Sequence, residues 1–563
     1  MSKTVIIGGV AAGASCAARL RRLKEDEEII LLEKGPYISY ANCGLPYHVG
    51  DVIKNREDLL VMKKPIMEKR FHIDVRDNSE VTEINRAQKT VKVRENSGKE
   101  YEESYDHLVI ATGSSPVKPR IEGIDSARVK TLWTVPDTDE IKAMISEQNV
   151  KRAIVVGGGF IGLEMAENLH HAGLKVAIVE AADQVMAPLD YEMALLLNEN
   201  IRANGVKLVL GDGVSSFAEQ KDEIVVNLNS GKALAADLVI LAIGVRPNSE
   251  LAKAAGLELN ERGGIKVDAH MRTADENIYA AGDVVEVDDF IFGDKTMVPL
   301  AGPANKQGRI VAHQIAGFET TYQGTQGSSV AKVFDLTAAS TGANEKALQK
   351  RGMVKDQDYR ALIITQNSHA GYYPGAKPLI LKMVFSMDGS KIYGAQIVGK
   401  DGTDKRIDTL GTAIRLGASV SDLTNLELAY APPYSSAKDP VNMAGYVAEN
   451  MLRGYVSFAT WNELETNPDV VALDVREDME LKMFSIPGAQ HISLSILREH
   501  LDELDSNKQY VVFCAIGVRA YNTARLLQQH GFKHVKVYPA GMRFYMSTHV
   551  KEDEKTDEFV CKF

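Results

Sequence analysis

Short apolar runs that end on glycine set the expected elements. Residues 4–7 (TVII) stop at Gly8 and read as a brief buried strand, residues 13–23 read as a helix, and residues 28–33 (EIILLE) as the next strand. The same succession of strand, glycine turn, helix and strand returns between Lys151 and Glu180. A further α/β pattern restarts after Arg453 and Gly454. There, residues 470–476 form a strand, 486–492 a turn entering a strand, and 510–519 a strand running into a loop before a helix.

Composition narrows the class. At roughly 150 residues per domain, 563 residues suggest about four folding units. An apolar content of 45% with 25% charged residues is a globular mix and excludes a disordered or fibrous chain. A net charge of −11 offers no field for nucleic acid or an anionic membrane. The four cysteines, Cys16, Cys43, Cys514 and Cys561, are too scattered for a disulfide framework. No CxxC occurs, so no metal is expected, and the sparing use of thiols fits a reducing cytoplasm. No apolar run reaches the roughly 18 residues of a membrane span. Residues 3–18 have the outline of a signal peptide with Cys16 as its lipid anchor. Gly8, Gly9 and Gly13 interrupt that run and Arg19, Arg21 and Arg22 follow it, so the segment is read as part of the fold.

The two glycine turns carry the first chemistry. In Gly8-Gly9-Val10-Ala11-Ala12-Gly13, Gly8 permits a tight turn, Gly13 lets helix and strand pack closely, and helix N-terminal amides face a pyrophosphate. Glu33 follows about 20 residues on, where a carboxylate binds ribose hydroxyls. Val10 departs from the pattern by standing at the middle glycine. The second copy is complete, with Gly157, Gly159 and Gly162. Its Glu180 accepts from a ribose 2′-hydroxyl and repels a 2′-phosphate, which favours NADH over NADPH. One such turn could merely connect a strand to a helix; two, each with its acidic residue, point to two dinucleotides.

Tyr105-Asp-His-Leu-Val-Ile-Ala-Thr112-Gly113 and Asn277-Ile-Tyr-Ala-Ala-Gly282-Asp283 resemble the linking and second flavin motifs of the two-dinucleotide flavoprotein disulfide reductases. The resemblance implies an FAD-binding domain of residues 1–118 and 245–325, with Asp283 on the ribityl chain. It also implies an NADH-binding domain of residues 119–244, where Phe160 covers the nicotinamide site, and an α+β dimerisation domain of residues 326–453 that makes a homodimer. The expected class is α/β with two Rossmann-like domains.

Ser39-Tyr-Ala-Asn42-Cys43-Gly-Leu-Pro-Tyr holds the decisive thiol. The glutathione-reductase branch has two cysteines here separated by four residues, whereas Ile38 and His48 stand at those offsets from Cys43. A thiol without a local partner must pair with an external sulfur or be oxidised to a sulfenic acid. The pattern resembles coenzyme A disulfide reductases and the related NADH-dependent persulfide reductases. Ser15, Arg19 and Arg22, at i, i+4 and i+7, share one helix face from which arginines could grip phosphates. The resemblance places Ser15, Arg19, Arg22, Ser39, Asn42 and Lys438 on coenzyme A, with Asn305 only loosely aligned. It also implies that Tyr430 and either Tyr372 or Tyr373, from the partner subunit, protonate the departing sulfur. A tyrosine, with a pKa of about 10, is a suitable acid for that step.

Residues 456–548 resemble a rhodanese-like α/β domain, and residues 549–563 read as a charged flexible tail. Cys514 would head a loop of backbone amides that cradles a persulfide, with Arg519 neutralising the anion. The C-x4-R spacing is one residue shorter than in Cdc25-type phosphatases, so sulfur is the expected cargo; an inactive docking module is the alternative. The resemblance as a whole implies NADH-driven, FAD-dependent reduction of coenzyme A persulfide, polysulfide or disulfide. An NADH oxidase or peroxidase working through a sulfenic acid, and a redox-sensing sulfur-carrier scaffold, are the rival readings.

Overall fold

The computed structural model describes residues 2–147 and 150–549; the expected tail from residue 550 on, with Cys561, lies outside them. The described chain falls into two compact units. The first comprises the residues up to Asp183 together with Val209–Gly327, and the second Gln184–Leu208 together with the residues from Ser328 onward.

The first unit repeats one design. Its first parallel sheet runs in the order Ile278–Ala280, His107–Ile110, Lys3–Ile7, Glu28–Leu32, Asp74–Arg76. The second runs Lys207–Val209, Lys175–Val179, Arg152–Val156, Leu238–Leu241, Val129–Lys130. These strands read as unbroken apolar runs because a parallel sheet is covered on both faces; Val5, Ile6, Ile154 and Val155 are fully buried. Each sheet is accompanied by a three-stranded antiparallel meander, at 79–104 and 214–236. The helices Ala11–Leu23 and Phe160–His171 leave the two glycine turns, the first starting two residues before the expected position.

The second unit holds a five-stranded antiparallel sheet in the order Ser329–Val333, Leu336–Gly342, Ile392–Gly399, Pro378–Ser386, Tyr359–Asn367. It also holds a four-stranded parallel sheet ordered Gln490–His491, Val470–Asp474, Gln509–Phe513, Val535–Val537. Residues 184–208, inside the segment assigned from sequence to the NADH domain, belong to this unit. Buried ion pairs hold them there: the Lys382 ammonium sits 2.8 Å from Asp190, 2.5 Å from Glu192 and 2.5 Å from Glu345. The parallel sheet is tied to the antiparallel one through Ala540, whose amide donates to the Ile363 carbonyl and whose carbonyl accepts from the Thr365 hydroxyl.

Candidate active site

The duplicated turns agree atom for atom in what they require. Gly8 (φ +101°) and Gly157 (φ +110°) lie in the left-handed region, and a Cβ on either would run into a carbonyl oxygen, of Ala111 or Ala242. A Cβ on Gly13 or Gly162 would strike the carbonyl of that first glycine, so helix and strand approach only without side chains. A Cβ on Gly159 would meet nothing within 4 Å. The fold therefore does not demand glycine at the middle position, which is why Val10 is tolerated there; what glycine leaves open is room for a ligand.

Each acidic residue is held by the same clamp. Glu33 accepts from the Gly9 and Gly35 amides, both at 2.8 Å, and Glu180 from Gly158 at 2.6 Å and Ala182 at 2.8 Å. Burial raises the Glu33 pKa against the pull of those amides. The linking and second flavin motifs lie side by side as paired parallel strands, 107–110 and 278–280. Thr112 and Asn248 exchange hydrogen bonds beside Gly113, and the Gly282 amide donates to Gln307. Asp283 accepts from the Ser114 hydroxyl at 2.8 Å, and burial raises its pKa. A half-buried carboxylate with so light a partner is suited to a polyol hydroxyl, and the open middle position of the second turn is suited to a pyrophosphate. The residues present thus fit FAD and a nicotinamide dinucleotide.

Cys43 lies in the 3-10 turn Asn42–Gly44, which leads into the helix Leu45–Val49 with Pro46 in its first turn. Its side chain is exposed, yet its pKa is raised, by desolvation first and then by the negative charges of Glu164 and Asp283. The thiol is therefore electrostatically close both to the flavin-side aspartate and to the helix of the second turn. Glu164 and Tyr47 are the functional candidates that the sequence reading missed. The Tyr47 hydroxyl donates to Glu164 at 3.2 Å, and burial pushes the Glu164 pKa up to about 7. The available signal was the acid two residues past Gly162, early in the helix that leaves the second turn. Phe160 opens that helix and is half-buried.

Of the residues expected on coenzyme A, Ser15 and Arg19 both meet the helix Ala301–Ile315. Ser15 hydrogen-bonds Asn305, and Arg19 Nε lies 3.0 Å from His313 Nε2. Arg22, on the same helix, is exposed and stacked 4.9 Å over the Phe71 ring. Asn42 donates to the Trp133 carbonyl at 3.2 Å. Ser39, at φ +44°, is in the left-handed region and its amide donates to Gly9 in the first turn. Lys438, in the second unit, is exposed.

In that second unit the hydroxyls of Tyr372 and Tyr430 hydrogen-bond each other, and this contact raises the Tyr430 pKa. Tyr373 instead meets His369 edge-on at 5.6 Å. A buried Arg406 holds the two tyrosine-bearing loops together, pairing with Asp439 at 3.0 Å and donating to the Ser368 carbonyl and the Ser435 hydroxyl. The Ala370 amide adds a direct bond to the Ser435 carbonyl.

Cys514 ends the strand Gln509–Phe513, buried beneath a loop whose Gly517 (φ +106°) precedes the helix Val518–Gln529. Its sulfur accepts from the Gly517 amide at 3.2 Å and the Ala520 amide at 3.4 Å. Arg519 is held by Glu480 through two bonds, at 2.6 and 2.7 Å. The Met542 amide donates to the Cys514 carbonyl, so the segment that bonds the antiparallel sheet through Ala540 also buttresses the thiol loop.

A chain that makes the same phosphate turn twice and sets a thiol electrostatically beside both is built as a two-dinucleotide oxidoreductase. Residues 2–308 match the pyridine nucleotide-disulphide oxidoreductase family, 328–440 its dimerisation domain, and 459–547 a rhodanese-like domain. The chain belongs to the pyridine nucleotide-disulphide oxidoreductase family, and with membership come FAD and a nicotinamide dinucleotide as bound groups. It is similar to the coenzyme A disulfide reductase of Staphylococcus epidermidis, with 37% identity over 451 residues, which is 80% of this chain and 100% of that one. The crystal structure of reduced Bacillus anthracis CoADR-RHD shares 48% identity, covers 97% of this chain and 98% of that one, and superposes with a TM-score of 0.93. A NAD-dependent persulfide reductase from A. fulgidus shares 40% identity over 96% of this chain and 100% of its own, with a TM-score of 0.91. No helix among the described residues is long and apolar enough to cross a membrane.

Proposed function

We propose that the protein is a cytoplasmic homodimer that uses NADH to reduce coenzyme A persulfide, polysulfide and coenzyme A disulfide through a single thiol, Cys43, while Cys514 handles sulfane sulfur. The observation that carries this is the isolation of Cys43. Among the described residues the other cysteines are free and buried; Cys16 is fully enclosed in the core, where burial pushes its pKa up to about 12. An exposed thiol without an internal partner takes its second sulfur from outside. The S. epidermidis and A. fulgidus relatives support coenzyme A disulfide and persulfide as the sources of that sulfur.

The Cys43 thiolate attacks one sulfur of the substrate, forming an enzyme disulfide or persulfide and releasing a thiolate. Bound FAD would relay two electrons from NADH, so that coenzyme A persulfide, NADH and a proton become coenzyme A, hydrogen sulfide and NAD⁺. Ser15, Arg19, Arg22, Ser39, Asn42 and Lys438 would hold coenzyme A. The Tyr372–Tyr430 pair would deliver the proton to the departing sulfur of a partner protomer's site, its shared hydrogen bond keeping Tyr430 protonated. At Cys514 the two amides on sulfur suit a persulfide anion.

The test is anaerobic turnover. NADH consumption with coenzyme A persulfide should release one sulfide per NADH, and Cys43→Ser should abolish it. Hydrogen peroxide reduction outpacing every sulfur substrate would favour the sulfenic acid reading. A single stoichiometric flavin reduction without turnover would favour the sensor.

A further inference from the structure

The mouth of the Cys514 loop is built against charge. Arg519, which interacts with the Cys514 sulfur, and Arg476, which braces the neighbouring turn, are both closed by carboxylates. Arg519 is gripped by both oxygens of Glu480, and Arg476, buried, by Asp474 at 2.7 Å. Arg476 also donates to the carbonyls of Glu480 and Phe484 and so fixes the turn that bears Glu480. A second acid on that turn, Glu477, accepts from Ser493 and Ser495. Hydrogen bonding to Arg519 pulls the Glu480 pKa down to about 2, so Glu480 stays ionised at any working pH. Arg543, next to the Met542 amide that braces the loop, is exposed to solvent, where its field is screened.

The same mouth is rimmed with apolar side chains. Ile516 and Val518 in the loop are exposed, and so are Met479 and Met483 on the Glu480 turn, at 69% and 89%. The Arg519–Glu480 pair brings these two segments together. Exposed methionines at such a site form a compliant apolar surface.

We propose that the Cys514 module takes sulfane sulfur from polysulfanes and organic persulfides whose organic group is uncharged, which bring at most one negative charge, and rejects the thiosulfate dianion, with Glu480 as the residue that sets this preference. The proposal rests on the sulfur-transfer reading of Cys514 and names its substrate class. In the step, the Cys514 thiolate attacks the terminal sulfur of R–S–SH, one S–S bond forms as another breaks, and Cys514–S–SH and R–S⁻ result without net oxidation. The uncharged R group lies on the methionine rim. Thiosulfate would have to bring two negative charges to an arginine whose own charge Glu480 already balances.

The test uses full-length Cys43→Ser holoenzyme, with added sulfur on Cys514 followed by intact mass. Propyl persulfide should load at least tenfold faster than thiosulfate, and Glu480→Gln should narrow that ratio by about tenfold, because it removes one charge beside the incoming dianion. Without any substitution at Glu480, thiosulfate loading should quicken as salt rises, since salt screens a repulsion. Equal loading by both donors, an unchanged ratio in Glu480→Gln, or loading slowed by salt would overturn the preference. Failure of both donors to load, or sulfur still appearing in Cys514→Ser, would instead overturn the sulfur-transfer reading beneath it.

Discussion

Selectivity between the two nicotinamide dinucleotides tests the second clamp quantitatively. Glu180 is fixed by the Gly158 and Ala182 amides at 2.6 and 2.8 Å and is half-buried, so its carboxylate cannot swing away from a ribose but still feels water. A 2′-phosphate carries close to two negative charges at pH 7. At about 4 Å in water-like surroundings each charge pair costs about 1 kcal/mol, or about 2 kcal/mol in all. The phosphate also removes the ribose hydroxyl's bond to an ionised acceptor, worth about 1.5–3 kcal/mol. The two effects predict a preference for NADH over NADPH of at least about a hundredfold in kcat/KM. Glu180→Gln keeps an acceptor for one clamp amide but removes the charge. It should lower kcat/KM for NADH by about tenfold and shrink the preference to below about tenfold. Steady-state kinetics with both dinucleotides on the FAD-loaded enzyme decide it. Comparable use of NADPH by the unaltered enzyme, or an undiminished preference in Glu180→Gln, would refute the reasoning.

Gly13→Ala should prevent the first helix from closing on its strand, because the added Cβ meets the Gly8 carbonyl; the protein should purify with little flavin, measured by visible absorbance. Tyr430→Phe and Tyr372→Phe should each slow coenzyme A disulfide reduction by about tenfold and together by about a hundredfold, within the usual worth of general acid catalysis. Solvent isotope effects should fall with them. Glu164→Gln should speed Cys43 alkylation by iodoacetamide severalfold at pH 8, by removing a like charge, and leave it nearly unchanged at pH 5.5, where Glu164, with its pKa raised to about 7, is already neutral. Superimposable pH profiles would contradict this. Lys382→Met leaves Asp190, Glu192 and Glu345 buried without their cation, and should cost about 3–5 kcal/mol in denaturant unfolding.

Much of the α/β pattern was legible because it is local. The Gly8 and Gly157 turns are each written in six consecutive residues, and the strands beside them are apolar runs that only a doubly covered parallel sheet can bury. The C-x4-R loop is equally short. The sites that were not legible join distant segments. Arg406 sits in a helix far from Tyr372 and Tyr430, and nothing near it in sequence says that it ties their loops together. The choice between Tyr372 and Tyr373 could not be read from adjacent residues; in the structure only Tyr372 meets Tyr430, because the Tyr373 ring turns to His369. Arg22 follows Ser15 and Arg19 in helical spacing and also stacks on the Phe71 ring, a cation–π contact that spacing alone does not show. Glu480 stands 39 residues from Arg519, and a charged residue on a short turn reads as a solvated surface until the fold closes it on the guanidinium.

The two thiols proposed to react, Cys43 and Cys514, are set in opposite surroundings, and this bears on why one chain would carry both. Around Cys43 the fixed charges are negative, from Glu164 and Asp283, and they raise its pKa. Around Cys514, the Gly517 and Ala520 amides point their hydrogens at sulfur and the Arg519 guanidinium interacts with it. A thiol in the first setting is a poor store of negative sulfur: a persulfide anion left there would feel the same repulsion, which favours prompt cleavage and departure. A thiol in the second setting is a good store, since amide donors stabilise the bound anion. Sulfur passed from the second site to the first would then climb in electrostatic terms, whichever carrier moves it, so reductive cleavage at Cys43 has to draw it forward. Weakening the repulsion at Cys43, by neutralising Glu164, should therefore lengthen the life of the Cys43 persulfide and make it detectable by mass in turnover quenched with acid.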